Sequence, residues 1–297
     1  MKRIIYHNIT FQCNNRCIHC ISKSVKTLSK DVIKVDDIQF VDKIFNVNEE
    51  DVWNINGGEP TLSEHFGSII DFCHTKSPHI IVYSNGRNLI NISKSLLSKV
   101  ERIIVPIYGD ELSHNFYVGD TNAYKETCIS LEDIIARFPQ KVDIKLLLDD
   151  NNNIEKFFKT IEWDKIRDNI HFSITRILKG YHDKTICSPQ IAERAEIIIE
   201  KFIEQNKKVR FYDIPFCLFS RQFQKKISQM EISKSEEYDK TIIMGYGNFR
   251  YKTVNYSEPT NIFKKCLLCS NHIYCTQIMH NYFCPMIYDD KIYLSTE

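Results

Sequence analysis

Residues 4–10 read IIYHNIT, and residues 13–20 follow almost at once as CNNRCIHC. The first stretch is rich in isoleucine and predicts a β-strand, and the second places three cysteines in a C-x3-C-x2-C pattern directly after it. Parallel β/α folds place their chemistry on the loops at the carboxyl ends of strands. The two stretches together therefore predict a β/α fold whose first loop carries Cys13, Cys17 and Cys20.

The rest of the first two thirds of the chain alternates short apolar runs with longer helical patterns. The five further runs that predict strands are 52–56, 80–84, 102–107, 142–148 and 170–174. Amphipathic helices are predicted between them, with examples at 35–46, 62–76 and 191–205. Six β–α units in series predict a parallel sheet, either an open doubly wound sheet or an incomplete barrel.

The pattern changes at about residue 207. Beyond it, aromatic and polar residues mix, helical periodicity weakens, and five of the eleven cysteines appear. No low-complexity linker separates the two parts. We therefore predict a core domain over 1–206 and a smaller cluster-binding region over 207–297, packed directly on the core.

Charge and hydropathy exclude several classes of protein. The chain has 297 residues, with 39 Lys and Arg against 38 Asp and Glu, so a net charge of +1 disfavours binding to nucleic acid. No run approaches the ~18 consecutive apolar residues of a membrane span. Polar residues interrupt the N-terminal region, so no signal peptide is expected and the sequence predicts a cytoplasmic protein. In that compartment thiols stay reduced, and clustered cysteines usually bind metal.

Three cysteines on one short loop suit a particular metal group. Thiolates are the usual ligands of a [4Fe–4S] cube, and a three-cysteine loop holds three of its corners. The fourth iron then stays open to a substrate or cofactor. The alternatives are a zinc site or unrelated thiols.

The loop of Cys13, Cys17 and Cys20 resembles the signature of the radical S-adenosylmethionine (SAM) superfamily. The resemblance implies that the open iron is chelated by the amino and carboxylate groups of SAM. It also implies cleavage of the S–C5′ bond, which gives methionine and a 5′-deoxyadenosyl radical that abstracts a substrate hydrogen. The position before the third cysteine is usually aromatic in the family. Here it is His19, whose ring is expected near the adenine.

A second motif, Asn56-Gly-Gly-Glu-Pro-Thr61, follows the second predicted strand. Alone it is a plain strand-to-helix turn, in which glycines allow close backbone approach. After the cysteine loop it resembles the family's GGEP element, which implies that Gly57, Gly58 and Glu59 bind the amino group of SAM. Ser84 and Asn85, at the end of the third predicted strand, resemble a polar pair that the family places near the SAM methionine and ribose, although Asn85-Gly86 is also a plain turn signal. The family fold implied is a partial (β/α)6 TIM-like barrel with a small C-terminal extension.

The late cysteines form a third constellation, Cys266-x2-Cys269-x5-Cys275. The spacing resembles the core of the SPASM and twitch extensions, which implies one auxiliary [4Fe–4S] cluster. Cys217, which follows Pro215-Phe, is the expected fourth ligand, and Cys284 is the alternative. The position four residues after Cys275 is Met279, where the full SPASM pattern has a cysteine. A structural zinc site is the competing interpretation of these cysteines.

The predicted function is a radical SAM enzyme that acts on a peptide or peptide-like small molecule. The family implies an electron donor such as flavodoxin or ferredoxin. A radical SAM enzyme that modifies RNA and a non-catalytic zinc or iron–sulfur module are the alternatives. An activase of a glycyl-radical enzyme fits less well, since only about thirty residues separate the cysteine loop from the second strand. No side chain is assigned a catalytic role from the sequence.

Overall fold

The computed structural model describes residues 3–20, 33–160, 170–177, 188–205, 208–212, 214, 218–229, 241–246 and 250–255. In these residues the strands are β1 Ile4–Thr10, β2 Val52–Gly57, β3 Ile80–Tyr83, β4 Arg102–Ile107, β5 Val142–Leu148, β6 His171–Arg176, β7 Lys208–Tyr212, β8 Thr241–Tyr246 and β9 Arg250–Asn255. They form one sheet in the order β7-β6-β5-β4-β3-β2-β1-β8-β9. All neighbours are parallel except β8 and β9, which are antiparallel.

Helices connect the strands. They are α1 Val35–Phe45, α2 Phe66–Lys76, α3 Lys94–Ser98, α4 Glu111–Val118, α5 Ala123–Arg137, α6 Ile154–Thr160, α7 Pro189–Glu204 and α8 Arg221–Gln229. Short 3₁₀ helices span Pro60–Leu62, Leu89–Asn91 and Pro139–Lys141. Among the described residues, no helix combines the length and the apolar character that crossing a membrane requires.

The two faces of the sheet bury different residues. Successive side chains of a strand point to opposite faces. On β4, Ile103, Val105 and Ile107 join the large core that also contains buried residues of α1, α2, α5 and α7. Ile104 belongs instead to a small separate cluster with Val52. The helices therefore pack on one face of the sheet, which is the arrangement of a partial barrel and not of a doubly wound sheet.

The predicted fold class is confirmed, and the bounds of the elements differ in detail. β4 and β5 span the predicted residues. β2 extends to Gly57 because this residue pairs with Thr10 across a register shift. β6 runs to Arg176 because its pairing with β5 continues to Leu148. β7 lies beyond residue 206 yet pairs in parallel with β6, so the sheet includes strands from the predicted C-terminal region. The domain boundary near 206 stays a prediction.

A buried ion pair joins the start of β1 to β2 and the end of α1. The Arg3 guanidinium donates to both carboxylate oxygens of Asp51, at 2.9 and 2.5 Å, and to the carbonyl of Phe45 at 2.8 Å. The Asp51 side chain is 0% exposed. Burial by itself would raise the pKa of Asp51, but the hydrogen bonds from Arg3 and Asn48 outweigh it and lower the pKa.

Asp51→Asn is therefore expected to lower the free energy of unfolding at pH 7 by about 1.5–3 kcal/mol, the range for hydrogen bonds to charged groups. Because the folded-state pKa of Asp51 is lowered, its contribution is present above the ordinary value near 4 and is lost as pH falls through the folded-state value. The difference in free energy of unfolding between the unaltered protein and Asp51→Asn should thus become smaller below pH ~4. Urea denaturation followed by circular dichroism at several pH values measures it.

The matched control is Asp71→Asn, because Asp71 pairs with Lys99 at 2.6 Å but its side chain is 55% exposed. Exposed pairs contribute about 0–1 kcal/mol, so this change should have a small effect. If Asp51→Asn and Asp71→Asn lower the free energy of unfolding equally, the role given to Asp51 is wrong.

Candidate active site

The segment 11–20, called the cysteine loop from here on, leaves the carboxyl end of β1 and docks on α4. The backbone N–H groups of Arg16 and Ile18 donate to the carbonyls of Val118 and Tyr117, at 2.8 and 2.9 Å. These bonds fix the middle of the loop against the end of a helix. Backbone hydrogen bonds thereby hold Cys17, which lies between Arg16 and Ile18, against the end of α4.

The turn 57–61, which follows β2, closes on the opposite side of the cysteine loop. Gly58 N–H donates to the Thr10 carbonyl at 2.6 Å, and Glu59 N–H donates to the Gln12 carbonyl at 2.7 Å. A Cβ on either glycine of this turn would lie within 2.2 Å of one of those carbonyl oxygens. Both positions must therefore be glycine, because a side chain would collide with the backbone of the loop.

The cysteine loop and the turn line the same cavity, which has a volume of about 160 Å³. Cys13, Cys17 and Cys20 all belong to its wall. The other lining residues come from the loop itself, from the carboxyl ends of β2 to β5 and from α4. They are Asn15, Asn56, Gly57, Gly58, Tyr83, Ser84, Asn85, Ile104, Pro106, Tyr108, His114, Val118 and Lys145.

The three thiols could hold three corners of a [4Fe–4S] cube. Cys13, Cys17 and Cys20 all line the same cavity. Among the described residues, no group of three or more His, Cys, Asp or Glu side chains was found that could hold a single metal ion. In a [4Fe–4S] cube each thiolate binds a different iron, so the ligands stand around the group. In a zinc site all ligands would share one ion.

Glu59 lies under the turn and is 0% exposed. Its Oε1 accepts hydrogen bonds from the hydroxyls of Thr61 and Ser84 at 2.5 and 2.8 Å, and its Oε2 accepts from the backbone N–H of Asn85 at 2.6 Å. Burial raises the pKa of the Glu59 carboxyl, and these hydrogen bonds partly offset the rise. Glu59 thus joins the turn to the end of β3 and does not itself line the cavity.

Asn85 connects the end of β3 to the cysteine loop. Its side-chain Nδ2 donates to Asn14 Oδ1 at 2.6 Å and lies 3.9 Å from Cys13 Sγ. Ser84 lies beside it and is 2% exposed. Ser84 and Asn85 both line the cavity, and their predicted place near the SAM methionine and ribose stays a prediction.

Aromatic rings cover the α4 side of the cavity. Tyr108 stacks on Tyr117, with ring centroids 5.5 Å apart and an interplanar angle of 14°. Burial raises the pKa of Tyr108, and the nearby loop thiolates raise it further. His114 accepts a hydrogen bond from Tyr108 N–H at 3.4 Å, and burial lowers its pKa to about 4, so the imidazole is neutral at pH 7. The ring of His19 lies 6.0 Å from Tyr117 and does not line the cavity.

Lys145 is a site residue that the sequence motifs did not indicate. It points inward from β5, and it is the one Lys or Arg among the described residues that line the cavity. Its Nζ lies 6.0 Å from the centroid of the Tyr83 ring. The signal in the sequence was a lysine inside the mostly apolar strand Val142–Leu148, VDIKLLL, in which Asp143 is the other charged residue. A charged residue on a buried strand is uncommon without a functional partner.

Four of the predicted metal ligands lie outside the described residues, as does the alternative ligand Cys284. They are Cys217, Cys266, Cys269 and Cys275. The auxiliary cluster therefore stays a prediction from the sequence.

No protein-family model matches the chain. One curated relative is the AdoMet-dependent heme synthase of Methanosarcina barkeri, where AdoMet is SAM. It is 24% identical over 168 residues, which are 55% of this chain and 47% of the relative. The chain thus matches about half the length of that relative.

Several solved structures share the fold. Streptococcus suis SuiB bound to SAM has a TM-score of 0.57 and 13% identity, covering 93% of this chain and 72% of SuiB. The complex of SuiB with its precursor peptide SuiA has a TM-score of 0.58 and 14% identity, covering 93% and 70%. Native anSMEcpe with bound AdoMet and the Cp18Cys peptide has a TM-score of 0.60 and 15% identity, covering 93% and 88%. At these identities the solved structures show the fold alone.

Proposed function

We propose that this chain, which belongs to the radical SAM superfamily, reductively cleaves SAM and abstracts a hydrogen atom from a peptide or peptide-like substrate. The observation that carries the proposal is the meeting of the cysteine loop and the turn 57–61 at one cavity. Residues 13–20 and 56–61 are the two segments that resemble superfamily motifs, and they lie far apart in the sequence. A binding module would need neither an open iron nor a second motif beside it.

Cys13, Cys17 and Cys20 would hold a [4Fe–4S] cluster, with one iron left to SAM. A reduced cluster held there would supply the electron that breaks the S–C5′ bond of SAM. The chain's own residues would shield the site, because Tyr108 and the buried, neutral His114 both line the cavity. A dry environment around a cluster tunes its potential. A reductant such as flavodoxin or ferredoxin, and a cytoplasmic location, are parts of this proposal.

The methionine part of SAM carries an amino group and a carboxylate, which would both bind the open iron, and the cavity offers a further partner for each. We assign the N–H groups of the amino group to the turn of Gly57 and Gly58, which Glu59 braces from below by its bonds to Ser84 and Asn85. We assign the SAM carboxylate to Lys145, since a buried anion requires a cation or donors nearby.

The proposed substrate class rests on fold neighbours. Solved structures of SuiB and of anSMEcpe each contain a bound peptide, and this chain shares their fold over most of its length. The curated relative is instead a heme synthase by name, so a non-peptide small molecule is the second candidate. Incubating the reduced enzyme with peptide pools and with porphyrin precursors separates them, because only a true substrate speeds formation of 5′-deoxyadenosine and changes mass.

Cys17→Ala is expected to abolish production of 5′-deoxyadenosine from SAM after dithionite reduction, because one corner of the cluster loses its thiolate. Liquid chromatography of anaerobic reactions measures the product. The matched control is Cys128→Ala, since Cys128 lies on α5 away from the cavity and burial raises its pKa to about 11. Wild-type product formation by Cys17→Ala would refute the proposal.

Lys145→Met is expected to weaken SAM binding by roughly tenfold or more, because a charge-assisted hydrogen bond contributes about 1.5–3 kcal/mol. The sharper test compares SAM with decarboxylated SAM. The unaltered chain should prefer SAM, and Lys145→Met should bind both alike. Lys99→Met, on the surface, should keep the preference. A preference for SAM that survives in Lys145→Met would show that Lys145 does not bind the carboxylate.

We also propose an auxiliary [4Fe–4S] cluster held by Cys266, Cys269, Cys275 and Cys217, with Cys284 as the alternative fourth ligand. Two cubes require about eight irons per chain. A triple Cys13/Cys17/Cys20→Ala variant should keep about half of that iron. Adding Cys217→Ala to it should remove the remainder, and adding Cys284→Ala should not. Iron analysis and zinc analysis measure this, and one zinc with no iron in the triple variant would establish the zinc interpretation.

A further inference from the structure

We infer that Arg87 is a positioning residue for the cysteine loop: its guanidinium ties Asn14 and Asn15 to α5 and to the turn before it. Arg87 lies just beyond the Ser84-Asn85-Gly86 stretch and belongs to neither superfamily motif. The inference rests on the proposed function, since it concerns the loop that would hold the catalytic cluster. It adds a side chain that fixes the geometry of that loop without binding the cluster itself.

The contacts of Arg87 converge on the residues directly after Cys13. Its Nη1 donates to the Asn14 carbonyl at 2.7 Å and to Asn15 Oδ1 at 2.9 Å. Asn15 is 5% exposed, and its backbone N–H donates to Cys13 Sγ at 3.4 Å. Two hydrogen bonds, both made by Asn15, therefore connect Arg87 to the sulfur of the first loop cysteine.

Two carboxylates also bind the guanidinium and hold it in place. Arg87 Nε donates to Glu126 Oε2 at 2.7 Å, and Nη1 lies 3.2 Å from Asp120 Oδ2. The Arg87 side chain is 8% exposed. Burial by itself would lower its pKa, but Glu126 and Asp120 outweigh burial and raise the pKa. Because the planar group is charged and anchored on both sides, its donors toward the loop have fixed directions.

The same short segment also connects the loop to Glu59. Asn85 N–H donates to Glu59 Oε2 at 2.6 Å, while the Asn85 side chain donates to Asn14. Arg87 N–H in turn donates to Asn85 Oδ1 at 3.0 Å, which orients that side chain. Arg87 thus supports Asn14 directly and through Asn85. We expect its loss to loosen the loop and to disturb the turn where SAM is proposed to bind.

The experiment uses the full-length, anaerobically reconstituted protein with Arg87→Gln, which removes the charge, and Arg87→Lys, which keeps it. The first readout is the rate at which a chelator extracts iron, and the second is the electron paramagnetic resonance spectrum of the reduced cluster with and without SAM. Arg87→Gln should lose iron about tenfold faster or more, the usual effect of removing a residue that supports a metal ligand. The spectrum of Arg87→Gln should broaden. Arg87→Lys should lose iron more slowly than Arg87→Gln and should give a spectrum closer to that of the unaltered protein.

Arg3→Gln is the matched control. Arg3 makes a comparable set of bonds to Asp51 and to backbone carbonyls, but at the opposite end of β1. It should lower the free energy of unfolding without changing iron extraction or the spectrum. If Arg3→Gln speeds iron loss as much as Arg87→Gln, the effect is general destabilisation and the inference fails. It fails equally if Arg87→Gln behaves as the unaltered chain.

Glu126→Gln covers the case in which Arg87→Gln does not fold. It removes the carboxylate that anchors Arg87 Nε, and Glu126 itself is 45% exposed. Iron extraction should again be faster than in the unaltered chain, and an unchanged rate would overturn the inference. In the unaltered chain, lack of any cluster at the cysteine loop would instead overturn the proposed function, so the two failures are distinguishable.

Discussion

The site depends on one close contact between two backbones, at the carboxyl ends of β1 and β2. Gly58 and Glu59 donate to the carbonyls of Thr10 and Gln12, at distances that leave no room for a Cβ on the turn. Because β1 and β2 are parallel neighbours, their carboxyl ends meet at the same edge of the sheet. This pairing brings the three cysteines and the glycine turn to one cavity. Every other contact of the site adds to that arrangement.

The remaining contacts add successive supports around the cysteine loop. Backbone bonds from Arg16 and Ile18 join it to the end of α4. Asn85 joins it to β3, and Asn85 is itself held by the buried Glu59. A loop that carries metal ligands gains from such supports, since fixed ligands lose little conformational entropy when the metal binds. Four elements, β1, β2 with its turn, β3 and α4, thus determine where the thiols lie. The thiols themselves all come from one short segment.

The division between the two faces of the sheet explains how a large apolar core coexists with a cavity that a lysine and three cysteines reach. Ile144, Leu146 and Leu148 of β5 are 0% exposed and pack toward the helices. Lys145, between them, faces inward and reaches the cavity. Asp143, on the same inner face, accepts a hydrogen bond from Ser173 at 2.8 Å. β5 therefore contributes side chains both to the apolar core and to the cavity, because successive side chains of a strand point to opposite faces of the sheet.

Much of the fold and the centre of the site could be predicted from the sequence. The period of the apolar residues determined the strands β4 and β5 to the residue, and the cysteine and glycine motifs identified the two segments that meet. The sequence by itself could not distinguish an open doubly wound sheet from a barrel, because both use the same β–α pattern; the packing of the helices on one face decided this. It also gave no role to Arg87 or Lys145. Their partners lie on other strands and helices, and only the tertiary structure brings a side chain to partners that are distant in the chain.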